Sequence, residues 1–370
     1  MATQTTTPPA VAWPRAGRLV RRCVGPAVVL VVAVLLPYGT LPVPLLLGGP
    51  LNSAGSLQLL ATCLVFAGLA VGYDLLFGRL GLMSFGHGLY VAVGAYSAQL
   101  AMAHLDLPLL PAALLAAAAG TVLAAVLGAI SLRANKTTAL GGIGFAMVTL
   151  AFAQAGSVLV NTDPGGLTGG EEGLPLDADR VPGALVGVAH TAQLYWLALG
   201  YAVVCVAVVW WATSRPVGQV WQAIRDNEVR VDVLGLNPRR YQWGALVLAG
   251  GLGSAGGVVY LLVTGGATAQ LTSTTFTLSL LVMVVLGGSG TRWGPIVGGL
   301  LYPLLDQRLT ALAGTPAVQH LPAVLRVPIS QPLVILGALF VLAVFVLKGG
   351  MVTLPARVRT WFRRRAGTSP

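Results

Sequence analysis

Residues 191–213 read TAQLYWLALGYAVVCVAVVWWAT, without one charged side chain, and Ser214-Arg215-Pro216 follows directly. As an α-helix this stretch is about 34 Å long, enough for the roughly 30 Å hydrocarbon core of a bilayer. Stretches of the same character occupy 24–46, 54–77, 80–103, 108–131, 139–160, 241–263, 274–290, 293–312 and 327–347. Those near 80–90 and 274–300 are glycine-rich and read as re-entrant or broken. The whole chain agrees. Of 370 residues, 56% are apolar and 9% charged, against about 25% charged in a typical soluble chain. Mean hydropathy is +0.81. So few charges cannot cover a soluble surface, which excludes a cytosolic enzyme, a disordered chain and a secreted disulfide scaffold. The expected fold class is all-α, a polytopic integral membrane helix bundle of about ten spans.

The net charge of +11 comes from 22 basic and 11 acidic residues. The basic residues cluster between the apolar runs. Alternating the spans from a cytoplasmic N-terminus leaves only Arg180, Arg308 and Arg326 outside. Both termini are therefore expected in the cytoplasm, and the charge is a membrane anchor rather than a nucleic-acid footprint. Loop 161–190, with Asp163, Glu171, Glu172, Asp177 and Asp179 against Arg180, is placed outside, and 214–240 is the one sizeable internal loop. Residues 15–36 mimic a signal peptide, but no small-x-small site follows before Pro37, Tyr38 and Pro42, so they read as an uncleaved first span. The expected organisation is a partly disordered tail 1–23, a membrane domain 24–347 and a basic tail 348–370. That last tail either lies at anionic headgroups or acts as a stop-transfer anchor. Lysine occurs only at Lys136 and Lys348, and with so much Ala and Gly this reads as GC-rich bacterial coding.

No enzyme motif stands out. Cys23, Cys63 and Cys205 are far apart and read as small apolar residues, so no metal site is expected. There is no glycine-rich loop ending in Gly-Lys-Ser/Thr, so any ATP must bind a separate subunit. Asp74, Arg79, Asp306 and Arg308 sit near span ends and leave neutral midplanes, which argues against a proton relay. Asp74 reads as an interfacial partner for Arg79. Ser84, His87, Tyr96, Thr149 and Gln154 are uncharged polar groups within apolar runs. They face the bundle interior, either lining a path for a polar solute or hydrogen-bonding between helices. Gly253-xxx-Gly257 and Gly294-xxx-Gly298 permit close helix approach. Gly78-Arg79-Leu80-Gly81 is echoed by Gly287-Gly288-Ser289-Gly290, through a parallel repeat or through chance among 48 glycines.

The internal loop carries the densest pattern. Residues 217–234 read as one short amphipathic helix with Val217, Val220, Trp221 and Ile224 on one face. Arg225, Asp226, Glu228, Arg230 and Asp232 supply mixed charge, and Gly235 is placed to stop it. Such a helix lies on the membrane surface or docks in a groove on a cytoplasmic protein; mixed signs favour the protein.

Five stretches in order carry a resemblance. They are 81–88 (GLMSFGHG) with Gly94-Ala95-Tyr96, 148–154 (VTLAFAQ), 167–175 (LTGGEEGLP), 223–228 (AIRDNE) with Leu234-Gly235-Leu236-Asn237, and 283–295 (MVVLGGSGTRWGP). Over roughly 55–350 the chain resembles the permease subunits of branched-chain amino acid ABC importers, a superfamily shared with urea and amide permeases. The resemblance implies a noncatalytic multi-pass subunit of a bacterial cell membrane, working by alternating access on Leu, Ile or Val. It implies a second, usually different, permease subunit and two cytoplasmic ATP-binding cassette subunits. It also implies an extracytoplasmic solute-binding protein. No cofactor binds this chain; ATP and Mg belong to the ATPase subunits. Ser84, His87, Tyr96, Thr149 and Gln154 would line or shape the path. Gly218, Ala223, Ile224, Arg225, Asp226, Glu228, Gly235 and Asn237 would belong to the segment coupled to the ATPase. Gly81, Gly86, Gly94, Gly287, Gly288, Gly290 and Gly294 would serve close packing or broken helices. Gln154 stands where the family often has Glu, and Val231-Asp232-Val233 is less Ala-rich than usual. Urea or a short amide is the alternative solute, and an ion-coupled carrier the alternative mechanism.

Overall fold

A computed structural model describes residues 31–39, 50–134, 141–185, 187, 190–313, 331–346 and 350–351. The chain divides into two compact units, 1–53 and 54–370. In the first, a helical turn at 31–35 tightens into a 3-10 turn, Leu36–Tyr38, and gives way to extended backbone at Gly39. The rest of the expected 24–46 span, the tail 1–23 and nearly all of 348–370 lie outside the described residues.

The second unit is helical. Its elements are α1 (Ala54–Asp74), α2 (His87–Leu105), α3 (Leu109–Ala134), α4 (Gly141–Thr162), α5 (Thr191–Ser214), α6 (Pro216–Asp226), α7 (Glu228–Val233), α8 (Pro238–Thr264), α9 (Thr274–Gly287), α10 (Gly294–Ala313) and α11 (Pro332–Val346). A two-residue antiparallel pair joins β1 (Leu174–Pro175) to β2 (Gly266–Ala267). Helix α1 is apolar over most of its surface and is correspondingly central: it packs on α5, α8, α9 and α10, while α8 also packs on α2 and α3. By contrast α3 and α4 expose Leu110, Leu114, Val122, Ile143, Met147 and Val158. Water would not tolerate that aliphatic surface, but acyl chains do. Among the described residues, five helices are long and apolar enough to cross a membrane: α1 with its following turn, α3, α4, α5 and α8. The protein is an all-α membrane protein.

Several expected spans change shape. The 80–103 span does not start at residue 80. Helix α1 widens into a six-residue π turn, Leu75–Leu80, that ends at Gly81 with φ 76°, a left-handed conformation that favours glycine. Residues 81–86 are non-helical, and α2 starts at His87. The 274–290 span shortens to α9, about 21 Å of helix, less than a bilayer core. Ser273 caps its start by accepting the Phe276 N–H at 3.2 Å. Gly288, with φ 119°, ends it.

The two ends of the bundle differ. At one, β1–β2 ties loop 161–190 to the turn after α8. There Asp163 accepts the N–H groups of Thr168 and Gly169 and the Thr168 hydroxyl. Those bonds, the Thr168 N–H foremost, hold its carboxyl below the usual carboxylate range. Arg180 pairs with Asp106 at the same end. At the other end, the π turn, the α9–α10 loop and α6 meet.

Helix seams use missing side chains. A Cβ at Gly94 of α2 would strike the Ser254 carbonyl of α8, and one at Gly257 would strike the Val91 carbonyl. Ser254 Oγ in turn donates to the Ala116 carbonyl of α3 at 2.8 Å. Backbone carbonyls cannot swing aside, so Gly94→Val is expected to destabilise by at least the roughly 1–3 kcal/mol typical of overpacking. A thermal melt of the detergent-purified variant checks this; an unchanged midpoint would contradict the tight α2–α8 seam.

Candidate coupling and translocation site

Helix α6 opens with Pro216, whose fixed φ suits a first helical position. Its buried face is Gly218, Trp221 and Ile224. Val217 is 40% exposed and does not join that face. Gly218 takes its place, because the bare Cα rests on the Thr213 backbone. Trp221 Nε1–H donates to the Tyr241 carbonyl at 3.0 Å and ties α6 to the first turn of α8. The expected apolar face is thus spent inside the chain's own core, with Leu75, Leu76 and Leu246.

The expected single helix 217–234 is two. Asn227 is extended, and its side chain accepts the Arg230 N–H at 2.9 Å, starting α7. An Asn that caps competes well with one that continues a helix. Gly235, φ 83°, closes α7: its N–H donates to the Asp232 carbonyl at 2.9 Å and Leu236 N–H to Val231 at 3.3 Å. Asn237 then caps α8 by accepting the Arg239 N–H at 3.2 Å. Ala223, Asp226 and Glu228 are exposed.

Arg225, exposed in the last turn of α6, reaches across to the π turn. Its guanidinium donates to the Gly78 carbonyl in the π turn, and its stem lies over Gly81. Beside it, Asp74 is 3% exposed and accepts the Gly290 N–H at 2.8 Å. Arg79 Nε is 3.9 Å from Asp74 Oδ2 and makes no hydrogen bond among the described residues. The Gly290 bond is therefore the tighter of the two. Asp74 does partner Arg79, as expected, and it is also the buried node of a three-way junction. A Cβ at Gly78 would strike both the Asp74 carboxylate and the Gly290 nitrogen. The two glycine tetrapeptides that echo in sequence are in contact, and Arg225 touches both. Gly287 and Gly294 keep the α9–α10 turn tight: a Cβ on Gly287 would strike the Gly294 carbonyl, and one on Gly294 the Gly288 carbonyl. Trp293 of that turn packs edge-on to Trp210 at 5.4 Å, in the last turn of α5 before α6.

The five polar residues expected to line a path are not gathered into one cavity. Thr149 is structural: its Oγ1 accepts the Phe85 N–H at 3.1 Å and donates to the Ala146 carbonyl at 3.0 Å. It holds the 81–86 break, where Gly86 lies against the Thr149 carbonyl. Ser84 lends its carbonyl to Tyr73 Oη–H at 3.0 Å. His87, fully buried, sits between the edges of Tyr73 and Tyr90, at 5.3 and 5.8 Å. Ser84 Oγ, both His87 ring nitrogens and Tyr96 Oη are buried without a hydrogen-bond partner among the described residues. Gln154 is exposed and donates from Nε2 to Thr274 Oγ1 at 2.8 Å.

A cavity of about 860 Å³ lies elsewhere, between α1, α8, α9 and α10, and none of the five lines it. Gln58, Thr62, Ser279, Tyr302 and Asp306 do. Asp306 lies 12 residues into α10, about 18 Å along the helix. Gln58 and Thr62 stand four apart, on one face of an otherwise apolar helix, a pattern legible in the sequence.

A family profile described as "Branched-chain amino acid transport system / permease component" matches residues 55–344. The Escherichia coli "High-affinity branched-chain amino acid transport system permease protein LivM" is 27% identical over 281 residues, 67% of this chain and 62% of that protein. Its Salmonella typhimurium counterpart of the same name is 27% identical over 277 residues, with the same shares. The chain thus spans less than two thirds of the length of these relatives. The Lactococcus lactis "Nucleoside ABC transporter permease protein NupC" is 28% identical over 130 residues, 34% of this chain and 39% of that protein. No solved structure matches. With the profile running from the start of α1 to the end of α11, the chain belongs to the family of branched-chain amino acid transport system permease components.

Proposed function

We propose that this chain is the multi-pass permease subunit of an ATP-driven importer of branched-chain amino acids in a bacterial cell membrane, with about ten spans and both termini in the cytoplasm. The observation that carries the reading is the seating of Arg225 on Gly78, Gly81 and Gly290, beside the Asp74 node. A loop helix so anchored transmits a push from outside the bundle to α1, α9 and α10 together. In this reading two ATPase subunits, which hold ATP and Mg, dock on the exposed side of 215–237. A second permease subunit completes the path, and a solute-binding protein meets the 161–190 end. Alternating access follows as the junction rocks between two packings. The polar interior around Ser84 and His87 shapes the path from the flank.

The docking side carries apolar groups out of water's favour: Val233 is 82% exposed and Leu234 73%. Exposed aliphatics in a charged loop mark a protein contact. Val233→Asp is expected to weaken ATPase docking by on the order of 2 kcal/mol, roughly thirtyfold, as at an interface hot spot. Co-purification of the ATPase with the tagged permease measures this; undiminished capture would place the contact elsewhere.

The decisive test is uptake in matched cells with and without the gene, with internal ATP and the proton gradient depleted separately. Loss of labelled leucine uptake that follows ATP supports the reading. The Lactococcus relative favours a nucleoside as the second reading, so labelled uridine is run alongside, with urea. Uptake loss confined to uridine or urea would replace the solute, and dependence on the proton gradient alone would overturn the ATP-driven mechanism.

A further inference from the structure

The 860 Å³ cavity lies at the end of the bundle away from the coupling junction. Along α1, Gln58 stands 16 residues before Asp74, about 24 Å. The cavity has two kinds of wall. One is aromatic: Phe66, Tyr260 and Phe276 form a mutual cluster with ring centroids 5.7 to 6.4 Å apart. The other is polar, with Gln58, Thr62 and the hydroxyls of Ser279 and Tyr302, which lie 3.1 Å from each other. Asp306 is half-buried on the polar wall and is the one charged side chain among the described lining residues.

A lone carboxylate in a cavity with no basic residue among its described lining attracts cations and repels anions, and the low-dielectric surroundings strengthen both effects. An aromatic wall opposite it accepts an aliphatic group and tolerates a nearby ammonium. A neutral solute such as urea gains nothing from the carboxylate. The combination is complementary to a small zwitterion whose ammonium meets Asp306, whose carboxylate is met by the neutral donors of Gln58 and Tyr302, and whose branched aliphatic group meets the aromatic wall.

We propose that this cavity is a solute site for an aliphatic α-amino acid, with Asp306 receiving the ammonium and the Phe66–Tyr260–Phe276 cluster the side chain. The choice of an amino acid rests on the importer reading above; the preference for a cation is a property of the cavity alone.

The test uses the assembled transporter with Cys23→Ala, Cys63→Ala and Cys205→Ala as background and Thr62→Cys as the reporter. Thiol labelling is timed with methanethiosulfonate reagents that carry either an ammonium or a sulfonate. The ammonium reagent is expected to react about tenfold faster after correction for intrinsic reactivity. Asp306→Asn is expected to remove that preference and Asp306→Glu to keep it, which separates loss of charge from loss of folding. Leucine is expected to slow labelling in the Asp306 parent and not in Asp306→Asn. Equal rates for the two reagents, or a preference that survives Asp306→Asn, would overturn the site. Unhindered labelling at saturating leucine, in a transporter that still imports leucine with ATP, would overturn the site and leave the importer reading standing. Failure of leucine import in the unmodified transporter would instead count against the importer reading.

Discussion

Asp74→Ala should cause the largest loss of stability of any single substitution at the junction. Asp74 is buried at the foot of α1, where its carboxylate meets the Gly290 N–H at 2.8 Å and faces Arg79 at 3.9 Å. Removing it orphans a backbone donor and leaves a guanidinium without its counter-charge. Breaking a buried pair by deleting one partner typically costs about 3–5 kcal/mol. At 3.9 Å the ion pair is loose, so about 3 kcal/mol is the expected figure. Asp74→Asn keeps an acceptor for Gly290 and loses only the charge, so it should cost less. Thermal melts of the two detergent-purified variants measure the difference. Should Ala melt no lower than Asn, the Gly290 bond would not be what joins the π turn to the α9–α10 loop.

Arg225→Ala should leave the bundle folded and stop it working. The side chain sits on a helix whose own anchoring is done by Trp221 and Ile224, so its loss does not detach α6. What is lost is a charge-assisted hydrogen bond to the Gly78 carbonyl, worth about 1.5–3 kcal/mol. If that bond carries motion from the ATPase to α1, solute moved per ATP hydrolysed falls by roughly ten- to a hundredfold. ATPase capture stays intact, which distinguishes this variant from Val233→Asp. Arg225→Lys restores the charge but not the planar reach, and a partial recovery is expected. Unchanged transport per ATP in Arg225→Ala would show that the segment couples by another contact.

Much of this was legible in the chain itself. Charge-free runs such as 191–213 and basic residues gathered between them are enough for a membrane bundle, because a bilayer leaves an exposed helix few choices of side chain. Gly235 as a helix stop and the GxxxG seams were readable for the same kind of reason, since each follows from one residue's own geometry. The break at Asn227 was also within reach, as Asn caps better than it propagates. The five path candidates were chosen by polarity inside apolar runs. That criterion marks groups that need partners, but it cannot tell a lining residue from Thr149, which is occupied by two backbone groups.

The sequence alone determined that this is a helical membrane protein and which family it belongs to, since both rest on composition and on local residue patterns. The tertiary structure decided where the chemistry sits. Asp74 and Gly290 are 216 positions apart, and Arg225 lies 147 positions from Gly78. Asp306 gains its meaning from Phe66 and Tyr260 on other helices. Such pairings depend on which face each helix turns to its neighbours. In lipid that is set by the shape match of small residues along the seams rather than by a polar–apolar stripe, so the helical periodicity that reveals a soluble core is silent here.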